Sequence, residues 1–310
     1  MKPAPKHFLR FNDLSAPEIR AVLRRAATLK TEQRSGTRHP TLAGKTLGMV
    51  FEKSSTRTRV SFEAGIFQLG GIGLFLSPRD TQLGRGEPVE DTARVFSEMI
   101  DLVMIRAYDH SMVETFAAYS SIPVINALTD DHHPCQILAD IQCFEEHVGP
   151  IEGKTIAWVG DGNNMAASWM DAASLLNFNL VLCGPAGYDV SPELLAEHAA
   201  NVRIERNPAA AVQGAHAVTT DVWASMGQEN EQAKREADFA AYQVTEALLD
   251  QASDEVIFMH CLPAHRGEEI SDTLLDDPRS RVFDEAGNRL HAQKALMEFL
   301  VLGERFPEPV

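Results

Sequence analysis

The chain has 310 residues, 44% of them hydrophobic, with 28 Lys+Arg against 44 Asp+Glu and a formal net charge of -16. That length accommodates two domains of ordinary size. No run approaches the roughly 18 apolar residues of a membrane helix, and the acidic balance disfavours nucleic acid or an anionic membrane as partner.

An anionic small molecule would be repelled by the average surface, so a site for one must gather positive charge locally. The opening residues, Met1 to Phe8, carry no apolar signal core, which predicts a cytoplasmic protein. Cys135, Cys143, Cys183 and Cys261 match no zinc spacing and are expected as thiols in a reducing compartment.

Residues 12–32 read as a helix, with Asn12, Asp13 or Ser15 to cap it and Ile19, Leu23 and Ala27 on one face. Short apolar runs at 46–51, 72–76, 102–105 and 122–125 read as strands, with helical patterns between them. That alternation predicts a parallel sheet covered by helices. Between the first two strands lies the most telling stretch, Glu52-Lys53-Ser54-Ser55-Thr56-Arg57-Thr58-Arg59. It follows a buried strand and precedes Val60, Ala64 and Phe67 at helical spacing. At a helix start the free N–H groups and the dipole attract anions, and hydroxyls with guanidinium forks complete a phosphate cradle. Taken alone, the stretch also fits an ordinary capped surface helix, because Ser and Thr are common N-caps.

Residues 134–147 read as a further helix opening on Pro134, and Gly149-Pro150 then breaks the chain. A second alternation follows: strands at 155–159, 179–183, 202–204, 216–220 and 255–259, with helices at 164–176 and near 192–200 and 208–213. The stretch 292–303 reads as an amphipathic helix. The fold class is therefore α/β, two doubly wound parallel-sheet domains. The polar region 224–240 is either a surface helix or a mobile loop of the kind that closes over a site.

Polar residues follow several strands directly, where open α/β sheets bind ligands. Arg106 follows 103–105; Asn126, His132, His133, Cys135 and Gln136 follow 124–125; Gly160 to Asn164 follow 157–159; Asp221 follows 218–220; His260-Cys261-Leu262-Pro263 follow 257–259. Singly each has a bland reading, as a surface ion pair, a loop histidine or a cap. Together they argue for one ligand cleft. The turn Gly160-Asp161-Gly162-Asn163-Asn164 lacks the third glycine of a dinucleotide motif, and Gly184 stands where its acid belongs, so NAD is discounted.

On these residues the chain resembles the aspartate/ornithine carbamoyltransferase family. Ser55 to Arg59 is similar to its carbamoyl phosphate signature and His133-Pro134-Cys135-Gln136 to its second signature. The run Gln82 to Glu87, the turn Gly160 to Asn164, the run Asp221 to Gly227 and His260 to Pro263 are similar to its ornithine branch. The motifs keep the family's order from about Phe8 to Leu302. The resemblance implies transfer of the carbamoyl group of carbamoyl phosphate to the δ-amine of L-ornithine, giving L-citrulline and phosphate, with no cofactor and no metal.

It implies a carbamoyl phosphate-binding domain at 1–147, completed by a C-terminal helix at 288–310 that returns to it, and an ornithine-binding domain at 148–287. By the same resemblance Arg106, His133 and Cys261 are catalytic. Ser55, Thr56, Arg57, Thr58, Gln82, Arg106, His133, Gln136, Cys261, Leu262 and Arg289 would hold carbamoyl phosphate. Asn164, Asp221, Ser225 and Met226 would hold ornithine. A homotrimer, or a multiple of trimers, is the implied assembly. Two other readings stay open: an inert binding subunit of the same fold, and transfer to another amine such as aspartate, acetylornithine or putrescine.

Overall fold

The computed structural model describes residues 5–77, 86–224 and 231–307. The chain divides into two compact units, Met1–Ala139 with Gly287–Val310, and Asp140–Ala286.

The first unit is built on β1 (Thr46–Phe51), β2 (Ile72–Leu76), β3 (Leu102–Arg106) and β4 (Val124–Leu128). They pair in the order β2-β1-β3-β4, all parallel. Its helices are α1 (Ala16–Arg34), α2 (Thr56–Gln68), α3 (Val89–Met99), α4 (His110–Tyr119), the start of α5 (Pro134–His147) and most of α11 (Val282–Leu302). Ser15, rather than Asn12 or Asp13, caps α1, and its backbone N–H donates to Glu18 Oε2 at 2.9 Å. This is the reciprocal capping box. Val50, Val103, Ile105, Phe116 and Val124 form the core between the sheet and its helices.

The fourth strand begins later than the apolar run suggests. Pro123 has no N–H to give a ladder, and the buried Asn126 hides the strand pattern beyond it. Phe8 adds beside this strand: its N–H donates to Val124 O and its carbonyl accepts from Asn126 N, both at 2.8 Å. At the other edge, β2 leaves Ile72 and Leu74 exposed, beside the exposed Val60 and Phe67 of α2.

The C-terminal helix starts ten residues before the predicted 292, at Val282. Gly287, Asn288 and Arg289 interrupt the apolar pattern there, while Asp284 and Glu285 suit a first turn. Its later part returns to the N-terminal helices, as expected: Glu298 pairs with Arg25 at 2.6 Å, and Asn288 accepts from Lys30 at 2.6 Å. Lys294 is fully buried and donates to Gln68 Oε1 at 2.8 Å, with His39 Nε2 at 3.1 Å.

The second unit has β5 (Thr155–Val159), α6 (Asn164–Leu176), β6 (Asn179–Cys183), α7 (Pro192–Glu197), β7 (Val202–Ile204) and α8 (Pro208–Val212). Then come β8 (Ala217–Thr220), α9 (Gln232–Phe239), α10 (Glu246–Leu249) and β9 (Ile257–His260). The parallel order is β7-β6-β5-β8-β9, with Val159, Val181, Val218 and Phe258 in the core. Within the polar region 224–240, α9 forms and buries Arg235 and Phe239. The division between units runs through α5, because Cys143 and His147 bond to Arg281 of the second unit.

Both sheets start at a central strand, run to one side, and restart on the other. The two switch points are β1/β3 and β5/β8. Beyond the carboxyl ends of strands at such points, helices diverge and leave room for a ligand.

Candidate active site

At the first switch point, Phe51 at the end of β1 pairs in register with Arg106 at the end of β3. The chain then turns at Ser55, whose extended backbone and hydroxyl cap α2: Ser55 Oγ accepts the Thr58 N–H at 3.3 Å. This places the Thr58 hydroxyl, fully buried, at the centre of a cationic cluster. Arg289 Nη2 donates to Thr58 Oγ1 at 2.9 Å and Arg106 Nη1 to the same oxygen at 3.5 Å. Ser55 Oγ stands 3.1 Å from it. Arg106 and Arg289 are both buried, and their guanidinium groups converge on one hydroxyl, an arrangement suited to an anion.

His133 and Gln136, one helical turn apart at the start of α5, are buried in the same unit. The Gln136 N–H donates to the His133 carbonyl at 3.1 Å. Burial holds the His133 imidazole well below its ordinary pKa, and Arg289, Arg106 and Arg57 lower it further. The ring is therefore neutral at pH 7, able to donate from one nitrogen without being an acid. Its neighbour Cys135 is inert: burial pushes the thiol up to about 12, and it donates to Asn126 O at 3.3 Å.

Thus the structure brings Ser55, Thr58, Arg106 and Arg289 into direct contact, with Arg57 and His133 within their electrostatic reach. Thr56 is the first residue of α2. Arg59, one of the two arginines in the motif, turns away: it stacks 3.9 Å over the Phe75 ring and bonds to Glu63. Lys53 was not singled out by sequence, yet it is buried 4.2 Å from the Tyr108 ring and pairs with Asp130. A charge buried at a motif's edge leaves no periodic signal.

At the second switch point, the turn after β5 packs tightly. A Cβ on Gly162 would lie 2.4 Å from Val190 N, and one on Gly184 2.5 Å from Gly160 O. Here the glycines permit close backbone approach. Asn163 caps α6, accepting from the Met165 and Ala166 N–H groups at 2.9 and 3.2 Å. Its amide donates to Asp221 Oδ2 at 2.9 Å. Asn163 therefore orients Asp221, and Asn164, expected at the ornithine site, opens the helix beside it. The other Asp221 oxygen accepts from the Val222 N–H at 2.8 Å and from the Cys261 thiol at 3.1 Å.

Burial and then Asp221 raise the Cys261 pKa well above its usual value, so the sulfur is a thiol and not a thiolate. Its turn is fixed from behind. Leu262 sits at φ +58°, and its N–H donates to His260 Nδ1 at 2.9 Å. His260 Nε2 meets the buried Glu269 at 3.1 Å, and the His260 N–H donates to Glu285 at 2.8 Å. Arg235 ties this unit's loops together, binding Asp161 Oδ2 at 2.6 Å and Trp223 O at 2.9 Å. Gln82, Ser225 and Met226 lie outside the described residues.

Among the described residues, two groups offer metal-ligand atoms within 4.8 Å of one another: Asp221, His260 and Cys261, and His265, Glu268 and Glu269. In the first, both His260 nitrogens are already engaged.

Two family models cover the chain. The carbamoyl-P binding domain of aspartate/ornithine carbamoyltransferase matches residues 6–146, and the Asp/Orn binding domain matches residues 152–300. An ornithine carbamoyltransferase of Chromohalobacter salexigens is 59% identical over 97% of this chain and 99% of its own. An anabolic ornithine carbamoyltransferase of Pseudomonas aeruginosa is 58% identical over 96% of this chain and 97% of its own. Among solved structures, the ornithine carbamoyltransferase of Burkholderia thailandensis superposes with a TM-score of 0.90 at 51% identity, covering 96% of this chain and 99% of that one. With the strand-end chemistry of both sheets, these matches establish that the chain belongs to the aspartate/ornithine carbamoyltransferase family.

Proposed function

We propose that the protein transfers the carbamoyl group of carbamoyl phosphate to the δ-amine of L-ornithine, releasing L-citrulline and phosphate. The observation that carries this reading is the Thr58 hydroxyl held by Arg106 and Arg289 beside a neutral His133. The names of relatives near 59% identity supply the acceptor.

Carbamoyl phosphate is a small dianion. Ser55, Thr56, Arg57 and Thr58, with the N–H groups opening α2, are suited to its phosphate. As the neutral δ-amine attacks the carbamoyl carbon, charge gathers on the carbonyl oxygen. Arg106, His133 and Thr58 are donors poised for that oxygen, Gln136 for the carbamoyl amide, and Arg289 for the same ligand. Donors fixed before the reaction lower its barrier without reorganising. The C–N bond forms, the C–O bond to phosphate breaks, and the amine's surplus proton leaves with phosphate or solvent.

In the second unit, Asp221 is the anion suited to the ornithine ammonium group, with Asn164 beside it. Cys261 and the Leu262 carbonyl serve the δ-amine end. The thiol form of Cys261 supports a positioning role over a covalent one. We further assign the protein to the cytoplasm, to arginine biosynthesis, in line with the anabolic relative, and to a homotrimer. The exposed apolar edge of Val60, Phe67, Ile72 and Leu74 is what a subunit contact would cover.

The test is citrulline and phosphate formation from carbamoyl phosphate with ornithine, beside aspartate, acetylornithine and putrescine at equal concentration. Ornithine is expected to be the one productive acceptor. Preference for another amine would move the assignment within the family, and absence of turnover with all four would favour an inert binding subunit. Sedimentation equilibrium reads the trimer.

A further inference from the structure

His132 precedes His133 and has no part in the chemistry above, yet its main chain is held by several hydrogen bonds beside the donor half of the site. Its N–H donates to Thr129 Oγ1 at 3.2 Å. Its carbonyl accepts from the Thr129 N–H at 2.8 Å and from Asn126 Nδ2 at 3.3 Å. Thr129 and Asn126 are both fully buried. The His110 ring stands 3.0 Å from Thr129 Oγ1 through Nδ1, and packs edge-on against the His132 ring at 4.9 Å between centroids.

A hydroxyl has one proton and two lone pairs. At Thr129 the lone pairs receive the His132 N–H and the Asn126 amide, the latter at 3.4 Å. Its proton has two acceptors within reach, His110 Nδ1 at 3.0 Å and the His132 carbonyl at 3.4 Å. Every capacity of this buried oxygen is used, and valine of the same shape would supply none of it.

The consequence falls on the next residue. His133 lies between this locked His132 and Pro134, whose ring bars its predecessor from the helical region. Its carbonyl is taken by the Gln136 N–H. The strand end carrying Arg106 is tied to the same loop, since the Ala107 N–H donates to Leu128 O and the Asp130 N–H to Tyr108 O, both at 3.0 Å. The imidazole that faces the guanidinium cluster therefore takes its place from the loop beneath it.

We propose that Thr129, seated between His110 and the His132 main chain, is the positioning residue that sets the His133 imidazole for carbamoyl transfer, an assignment that rests on His133 acting as described above. In this arrangement Thr129 acts through His133. A displacement of order 1 Å at a reacting group costs up to about a hundredfold.

The experiment is a double-mutant cycle on kcat and on kcat/KM for carbamoyl phosphate, with Thr129→Val, Thr129→Ser and His133→Asn. Thr129→Val is expected to lower kcat about ten- to a hundredfold, with the ornithine KM little changed. Thr129→Ser, which keeps the hydroxyl, should recover most of that loss. In the His133→Asn background, Thr129→Val should cost almost nothing more. Equal losses in both backgrounds would overturn the inference while leaving His133 in its role. A parental rate for His133→Asn alone would overturn the His133 reading itself, and the role of Thr129 with it. Should Thr129→Val not fold, His110→Leu carries the same test, since it removes the ring nitrogen bonded to the Thr129 hydroxyl: loss confined to the His133 background supports the proposal, and loss independent of it refutes it.

Discussion

The two units solve the strand-end problem with different materials. The first gathers charge: guanidinium groups from β3 and α11 meet on one hydroxyl of α2. The second gathers geometry: glycines permit close backbone approach, and a single carboxylate, Asp221, is oriented by Asn163 and met by a neutral thiol. A dianion needs many donors and tolerates some redundancy in placement. An amino-acid acceptor needs one correctly aimed anion. Substitutions in the first unit should therefore act on affinity in large steps, and those in the second should act on selectivity and KM.

The largest effect is expected from Arg57→Ala. Removing one charged partner of a buried anion costs about 2–5 kcal/mol. Isothermal titration with carbamoyl phosphate should show the loss, with melting temperature little affected; binding within threefold of the parent would break the cradle assignment. Next comes Asp221→Asn, which exchanges a charged for a neutral acceptor at a cost of about 1–3 kcal/mol. Ornithine affinity should fall far more than that of carbamoyl phosphate, and equal losses would erase the contrast between the units.

Cys261→Ser should keep measurable turnover and raise the ornithine KM severalfold, about 1 kcal/mol for one altered neutral hydrogen bond. A carbamoylated Cys261 trapped by mass spectrometry would instead give the second unit a covalent role. The smallest effects concern pH. His133 is held below its ordinary value of 6.5 in the fold. Stability from its neutral form is complete above that value and is lost as pH falls through the folded-state pKa. His133→Asn should flatten the acid limb of the stability curve, and an unchanged limb would argue that the ring is not buried as a base. Lys294 is lowered from 10.5 to about 8, chiefly by burial. Between those values the unfolded chain binds the additional proton, so stability should rise with pH over that window, and Lys294→Met should remove the rise.

How much of this was legible depends on how local each signal is. The Ser55 cap, the strand before it and the helix after it are consecutive, so the cradle could be read directly. The meeting of Thr58 with Arg289 spans 231 positions and has no local trace; only the resemblance pointed to it. Arg59 was indistinguishable from Arg57 until helical phase turned it toward Phe75. Asn163 and Asn164 look alike in sequence, and only the fold shows that Asn163 is the cap. Asn126 and Thr129 interrupt an apolar run, which in sequence resembles a loop and in the fold is a buried polar network.

The first unit is discontinuous: it opens near residue 5 and closes with residues after 287, while the whole second unit is inserted between. On a ribosome, the chain emerges in that order. The 140–286 unit has all its strands before Arg289 is made, so it can fold while the cradle still lacks a donor to Thr58. The Arg289 contact therefore arrives late in translation, and a stop codon between 287 and 289 yields a chain that keeps the whole 140–286 unit and forfeits that donor to Thr58.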